Sequence, residues 1–113
     1  MKPSKIHPAL FPYGGTIGAK VRCVLALTGY VGSVPEVLVA YISSILPSPL
    51  LATDILIDPT NPDHAQTQLR TVSVLRLHKL ATVHKSNFVR LLGSVSPKTW
   101  TEVEPKLRLL LNL

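Results

Sequence analysis

Two arginines, two serines and a histidine stand at the ends of apolar runs in this sequence. Arg22 opens the run from Val21 to Leu27, Ser43 and Ser44 close the run from Val37 to Ile42, and Arg76 and His78 follow Val72 and Val74 at a spacing of two. Side chains alternate between the faces of a strand, so Arg76 and His78 share a face if their strand continues that far. A guanidinium, a hydroxyl and an imidazole together can cleave a phosphodiester without a metal. The cation stabilises the negative charge that grows on phosphorus, and the titratable group moves protons. The same residues also have a plainer use, in which the arginines pair with carboxylates and the serines close strand ends. Both uses remain open on residue type and spacing.

Other chemistries find little support. The stretch Gly14-Gly15-Thr16-Ile17-Gly18 leads into Lys20 without the spacing or the Ser/Thr of a phosphate-binding loop, and it reads as a turn in a hairpin. His7, His64, His78 and His84 form no HExxH pattern, and one cysteine cannot build a zinc site. No metal and no cofactor are therefore expected. Cys23 lies inside an apolar run, where a small buried thiol is the ordinary state.

The elements that must position these residues are mostly strands. Val21 to Leu27, Val37 to Ile42, Asp54 to Ile57, Thr71 to Leu77 and Phe88 to Val95 are short, rich in Val, Ile and Leu, and bounded by Gly, Pro and Ser. Ile6 to Phe11 is a weaker strand, because Pro8 lacks a ladder donor and belongs on an edge or at a bulge. Pro59 to Gln68 reads as a polar loop. A helix is predicted from Ser96 as cap and Pro97 as first residue, with Trp100, Val103, Leu107, Leu110 and Leu111 as its apolar stripe. Pro105 should kink that helix or restart it with Glu104 as cap. Five or six short strands and one terminal helix imply a small, strongly twisted barrel, a single domain over residues 1–113.

Charge is placed unevenly. Residues 1–69 balance four Lys and Arg against four Asp and Glu, so the whole net charge of +6 lies in residues 70–113. A basic surface favours a polyanionic partner, although spaced Lys and Arg also serve as a solvated face. The lone cysteine points to a reducing compartment, and neither a signal peptide nor a membrane-length apolar segment is evident, so the expected location is the cytoplasm with no membrane partner.

In four places the sequence resembles the MazF/PemK family of type II toxin–antitoxin toxins. Lys20 to Leu27, KVRCVLAL, is similar to the family's K-x-R-P-V-L-V-L strand, and Ala40 to Ser44, AYISS, to A-P-I-T-S. Ser73 to Lys85, SVLRLHKLATVHK, resembles S-V-V-R-L-D-K-L-x-T-x-D-K, and Leu92 to Leu113 resembles the family's last strand and helix. The resemblance implies an SH3-like β-barrel with a C-terminal helix, acting as a homodimeric, metal-independent endoribonuclease. It implies attack of a ribose 2′-hydroxyl on the adjacent phosphate of single-stranded RNA, and restraint by an antitoxin with an acidic tail, with which such toxins also bind DNA. Carried over by position, Arg22, Ser43, Arg76 and His78 would be catalytic, and Lys20, Ser44 and Lys79 would bind RNA.

The chain departs from the pattern where Cys23 replaces a proline, Ser43 a threonine and His78 an aspartate, and where Pro105 interrupts the helix. Serine keeps the hydroxyl, and histidine is a competent acid or base near neutral pH. The first strand, Ser4 to Ala9 where the family opens G-D-I-V-L-V, and the proline favour an alternative: a weak or inactive relative serving as a binding module, an RNA or antitoxin binder or, like the CcdB toxins of the same fold, a topoisomerase poison.

Overall fold

The computed structural model describes residues 1–12 and 19–113, so the Gly14 to Gly18 turn lies outside the described residues. Six strands form one antiparallel sheet: β1 Lys5–Pro12, β2 Ala19–Ala26, β3 Glu36–Ser43, β4 Asp54–Ile57, β5 Ser73–His84 and β6 Gly93–Ser94. Their order across the sheet is β4-β5-β3-β2-β1-β6, curled into a half-barrel, and helix α1, Pro97–Leu111, follows. The chain is mainly β with a C-terminal helix. Among the described residues no helix is long and apolar enough to cross a membrane.

Period-two alternation divides the apolar residues between two cores. Ile6, Leu25, Ala40, Ile42, Leu75 and Leu77 pack with Val95 and with Val103 of α1 on one side. Ala9, Phe11, Val24, Val39, Tyr41 and Val83 form the second cluster on the other. The central strands β2 and β3 contribute to both clusters, which is why VLVAYI reads as one continuous apolar run.

Several expectations need correction. Pro8 does not mark an edge: β1 lies between β2 and β6 and pairs with β2 along seven residues. The N–H and C=O of one strand residue point the same way, and the Pro8 carbonyl accepts from Val89 N at 2.9 Å. The missing donor therefore falls on the sparsely paired side of β1, and the ladder to β2 keeps all its bonds. Phe88 to Val95 is not a strand throughout. Only Gly93–Ser94 is one, with a single bridge from Phe88 to Ala9. The polar loop holds a 3-10 helix, Pro62–Thr67, capped by the Asn61 side chain.

Helix α1 runs unbroken through Pro105. Thr101, whose carbonyl loses its helical donor there, is exposed, and water can replace that donor. Ser96 caps as predicted, its Oγ accepting from Thr99 N at 3.1 Å. Of the predicted stripe, Val103 is buried with Trp100 and Leu107 packed beside it, whereas Leu111 is exposed.

Candidate functional site

β2 and β3 bring the first two polar groups together. Cys23 pairs with Ile42, and one step further in the same register sets Arg22 beside Ser43. Both lie on the face that carries Tyr41, opposite the α1 core. They open on a cleft of about 1090 Å³ at this end of the sheet, which Ser44 and Tyr41 also line. Two connections add to the wall: Gln68, Arg70 and Thr71 from the segment before β5, and Arg90 to Leu92 from the segment before β6.

The electrostatics of the cleft are one-sided. Its charged lining residues are Arg22, Arg70 and Arg90, and no carboxylate lines it among the described residues. Cys23 also reaches the cleft; burial pushes its thiol up, and the positive charge of Arg90 pulls the other way. Ser43 is nearly buried, and its hydroxyl closes the strand by accepting from Ile45 N at 3.0 Å and donating to Ile45 O at 3.2 Å. A hydroxyl rotates about its C–O bond, so a phosphate oxygen in the cleft can compete for that donation.

Arg76 and His78 stand elsewhere. Strand β5 does continue past them, but its register with β3 shifts between Ala40 and Tyr41, which pair with Leu80 and Arg76 respectively. Leu77, His78 and Lys79 therefore bulge without opposing residues. Arg76 Nε donates to Asp54 Oδ1 at 3.0 Å, and the buried carboxylate takes a second bond from Leu51 N at 2.8 Å. This is the plainer use of an arginine that the residue types had left open. His78 is exposed. Partial burial and the charges of Arg76 and Lys79 hold its pKa below the usual imidazole value, against the pull of Asp54.

Lys79 lies with its Nζ 5.7 Å from the centroid of the Tyr41 ring, and that ring stacks on Phe11 at 5.3 Å. The structure thus brings Arg22, Ser43 and Ser44 into one cleft. It leaves Arg76, His78, Lys79 and Lys20 outside the lining. Arg70 and Arg90, absent from the predicted site, belong to it. The signal that could have found them is the charge count, because both fall in the half that carries the whole excess. Among the described residues no three His, Cys, Asp or Glu side chains gather as a metal-ligand set.

Comparison with known proteins bears on the family and the fold. The profile of a family described as PemK-like, MazF-like toxin of type II toxin–antitoxin system matches residues 2–111. Among curated proteins compared by sequence, none matches. Among solved structures, a Mycobacterium tuberculosis toxin, MazF-mt6, superposes with a TM-score of 0.74 at 23% identity, over 96% of this chain and 97% of its own. An endoribonuclease in complex with its cognate antitoxin, from a mycobacterial species, superposes at 0.70 with 15% identity, over 100% of this chain and 96% of its own. At these identities the superpositions show the fold.

Proposed function

The chain belongs to the PemK-like, MazF-like toxins of type II toxin–antitoxin systems, and on that basis we propose that it cleaves single-stranded RNA in the arginine-lined cleft. The observation that carries this reading is the cleft itself: three guanidiniums, three serines and, among the described residues, no lining carboxylate, a setting for a polyanion.

In the proposed reaction a ribose 2′-oxygen attacks the adjacent phosphorus and loses its proton. The bond from phosphorus to the 5′-oxygen breaks, and that oxygen gains a proton. The products are a 2′,3′-cyclic phosphate and a free 5′-hydroxyl. Arg22 donates to the non-bridging phosphate oxygens and stabilises the charge they gather in the transition state. Ser43, beside it, donates its hydroxyl to the same phosphate once it turns from Ile45 O. Arg76, paired with the buried Asp54 carboxylate, braces the same sheet face as part of the scaffold. His78, with its lowered pKa, is neutral at neutral pH, and from outside the cleft lining it has a supporting and not the principal part in proton transfer.

An acidic antitoxin tail fits the same basic cleft, and two copies of the chain are proposed to share an RNA strand as a homodimer. The binding-module alternative drew on a weak first strand and a broken helix. β1 spans eight residues and α1 fifteen without a break, which answers both of those grounds. The test is incubation of the purified protein with mixed RNA in EDTA and mapping of the new ends. Fragments with 5′-hydroxyls are expected. Intact RNA, bound or unbound, would return the chain to the binding-module class.

A further inference from the structure

The sheet-borne half of the cleft, Arg22 and Ser43, accounts for one phosphate. Two further arginines line the same cleft from loops. Neither Arg70 nor Arg90 belongs to an ion pair among the described residues, where the two recorded pairs are Arg76 with Asp54 and Arg108 with Glu104. Both side chains are exposed to solvent at the cleft.

The backbones that carry them are nonetheless fixed. The Arg90 carbonyl accepts from His7 Nδ1 at 2.9 Å, so the neutral ring carries its proton on Nδ1. The flanking residues are tied to the same strand, Val89 N to Pro8 O and Leu92 N to Ile6 O, each at 2.9 Å. His7 is itself buried in β1 with Phe88 edge-on to its ring at 5.3 Å. Arg70 follows the turn at Gln68, whose φ of 61° ends the 3-10 helix, with Thr67 fully buried behind it.

The two carriers also meet each other. Gly93 sits so close to the Gln66 and Thr67 carbonyls that any Cβ there would collide with both, and Gln66 Nε2 donates to Val95 O at 3.2 Å. Two arginines without carboxylate partners, on loops locked to one another and to the sheet, form a prepared pair of cations.

We propose that Arg70 and Arg90 bind backbone phosphates of the RNA strand that flank the one held by Arg22. This rests on the reading of the cleft as an RNA site. It adds that the strand is gripped at non-reacting phosphates, so these arginines contribute to holding substrate and not to the bond-breaking step.

The test uses a short single-stranded DNA oligonucleotide, which lacks the attacking 2′-hydroxyl, in a fluorescence-anisotropy titration at several salt concentrations, beside RNA cleavage kinetics. Arg70→Gln and Arg90→Gln should each weaken binding roughly ten- to hundredfold and flatten the log–log salt dependence by about 0.7. In cleavage they should raise KM and leave kcat at saturating RNA unchanged. Lys98→Gln, an equal loss of charge on exposed α1 outside the cleft, should leave affinity near that of the parent.

Parent-like affinity and salt dependence in the double variant would overturn the proposal, as would kcat falling with KM unchanged. A parent that binds the oligonucleotide and leaves RNA intact would refute the ribonuclease reading while the arginine pair stands. A parent that cleaves RNA, beside a double variant with the same KM, would do the reverse.

Discussion

Arg22 and Arg76 are the same residue type on the same sheet face, yet they live in opposite surroundings. Arg76 is bonded to Asp54, whose carboxylate has no solvent exposure, and its own side chain keeps 15%. Arg22 opens on a cleft whose other charged groups are also arginines. A buried carboxylate turns a guanidinium into a structural strut, and an arginine-rich rim adds to the positive field that draws an incoming anion. Position in a strand does not decide which happens. The neighbouring strand does, because β4 delivers Asp54 opposite Arg76.

The largest effect expected from breaking this contrast is on stability. Asp54→Ala leaves Arg76 without its carboxylate and Leu51 N without its acceptor, and should cost about 3 kcal/mol or more, measured by urea unfolding. Parent-like stability with lost cleavage would instead move Arg76 from the scaffold to the chemistry.

Gly93→Ala should cost about 1–3 kcal/mol, because the carbonyls of Gln66 and Thr67 are backbone and cannot swing aside. It should also weaken oligonucleotide binding, since Arg70 and Arg90 would be moved apart. Unchanged stability and affinity would show that the two loops are not held by that contact.

His78→Ala sharpens the comparison on the kinetic side. Standing beyond the cleft lining, His78 should matter less than Arg22, with cleavage slowed by less than the roughly 10²-fold expected of a positioned proton donor or acceptor. A larger loss, together with a rate that falls as pH drops through the histidine's lowered pKa, would make it the general base.

The smallest effect concerns His7. Burial outweighs its bond to the Arg90 carbonyl and holds its pKa below the ordinary 6.5, so the fold favours the neutral ring. That contribution is complete above pH 6.5 and is lost as pH falls through the lowered value. The thermal midpoint of the parent should therefore drop more between neutral and mildly acidic pH than that of His7→Gln, and equal drops would refute it.

Much of this architecture is legible in the sequence, for local reasons. β2, β3 and β4 follow from apolar runs bounded by turn residues, and Ser96-Pro97 announces α1. The rest depends on partners that periodicity cannot see. Pro8 reads as an edge signal because the sequence does not tell which side of β1 lacks a full neighbour. Pro105 reads as a break because the sequence does not show that the Thr101 carbonyl faces water. At the site, Arg22, Ser43 and Ser44 were visible as strand ends. Arg70 and Arg90 were visible only as charge, because loops bring them to the cleft.

The most direct measurement places Arg22→Lys and Arg76→Lys side by side in the same RNA cleavage assay, in EDTA, with folding verified by circular dichroism. Lysine keeps the charge in both and removes the planar fork that can hold two phosphate oxygens at once. The account predicts that Arg22→Lys loses most cleavage while Arg76→Lys, still paired with Asp54, retains most of it. Full cleavage by a folded Arg22→Lys protein, with loss in Arg76→Lys, would contradict it.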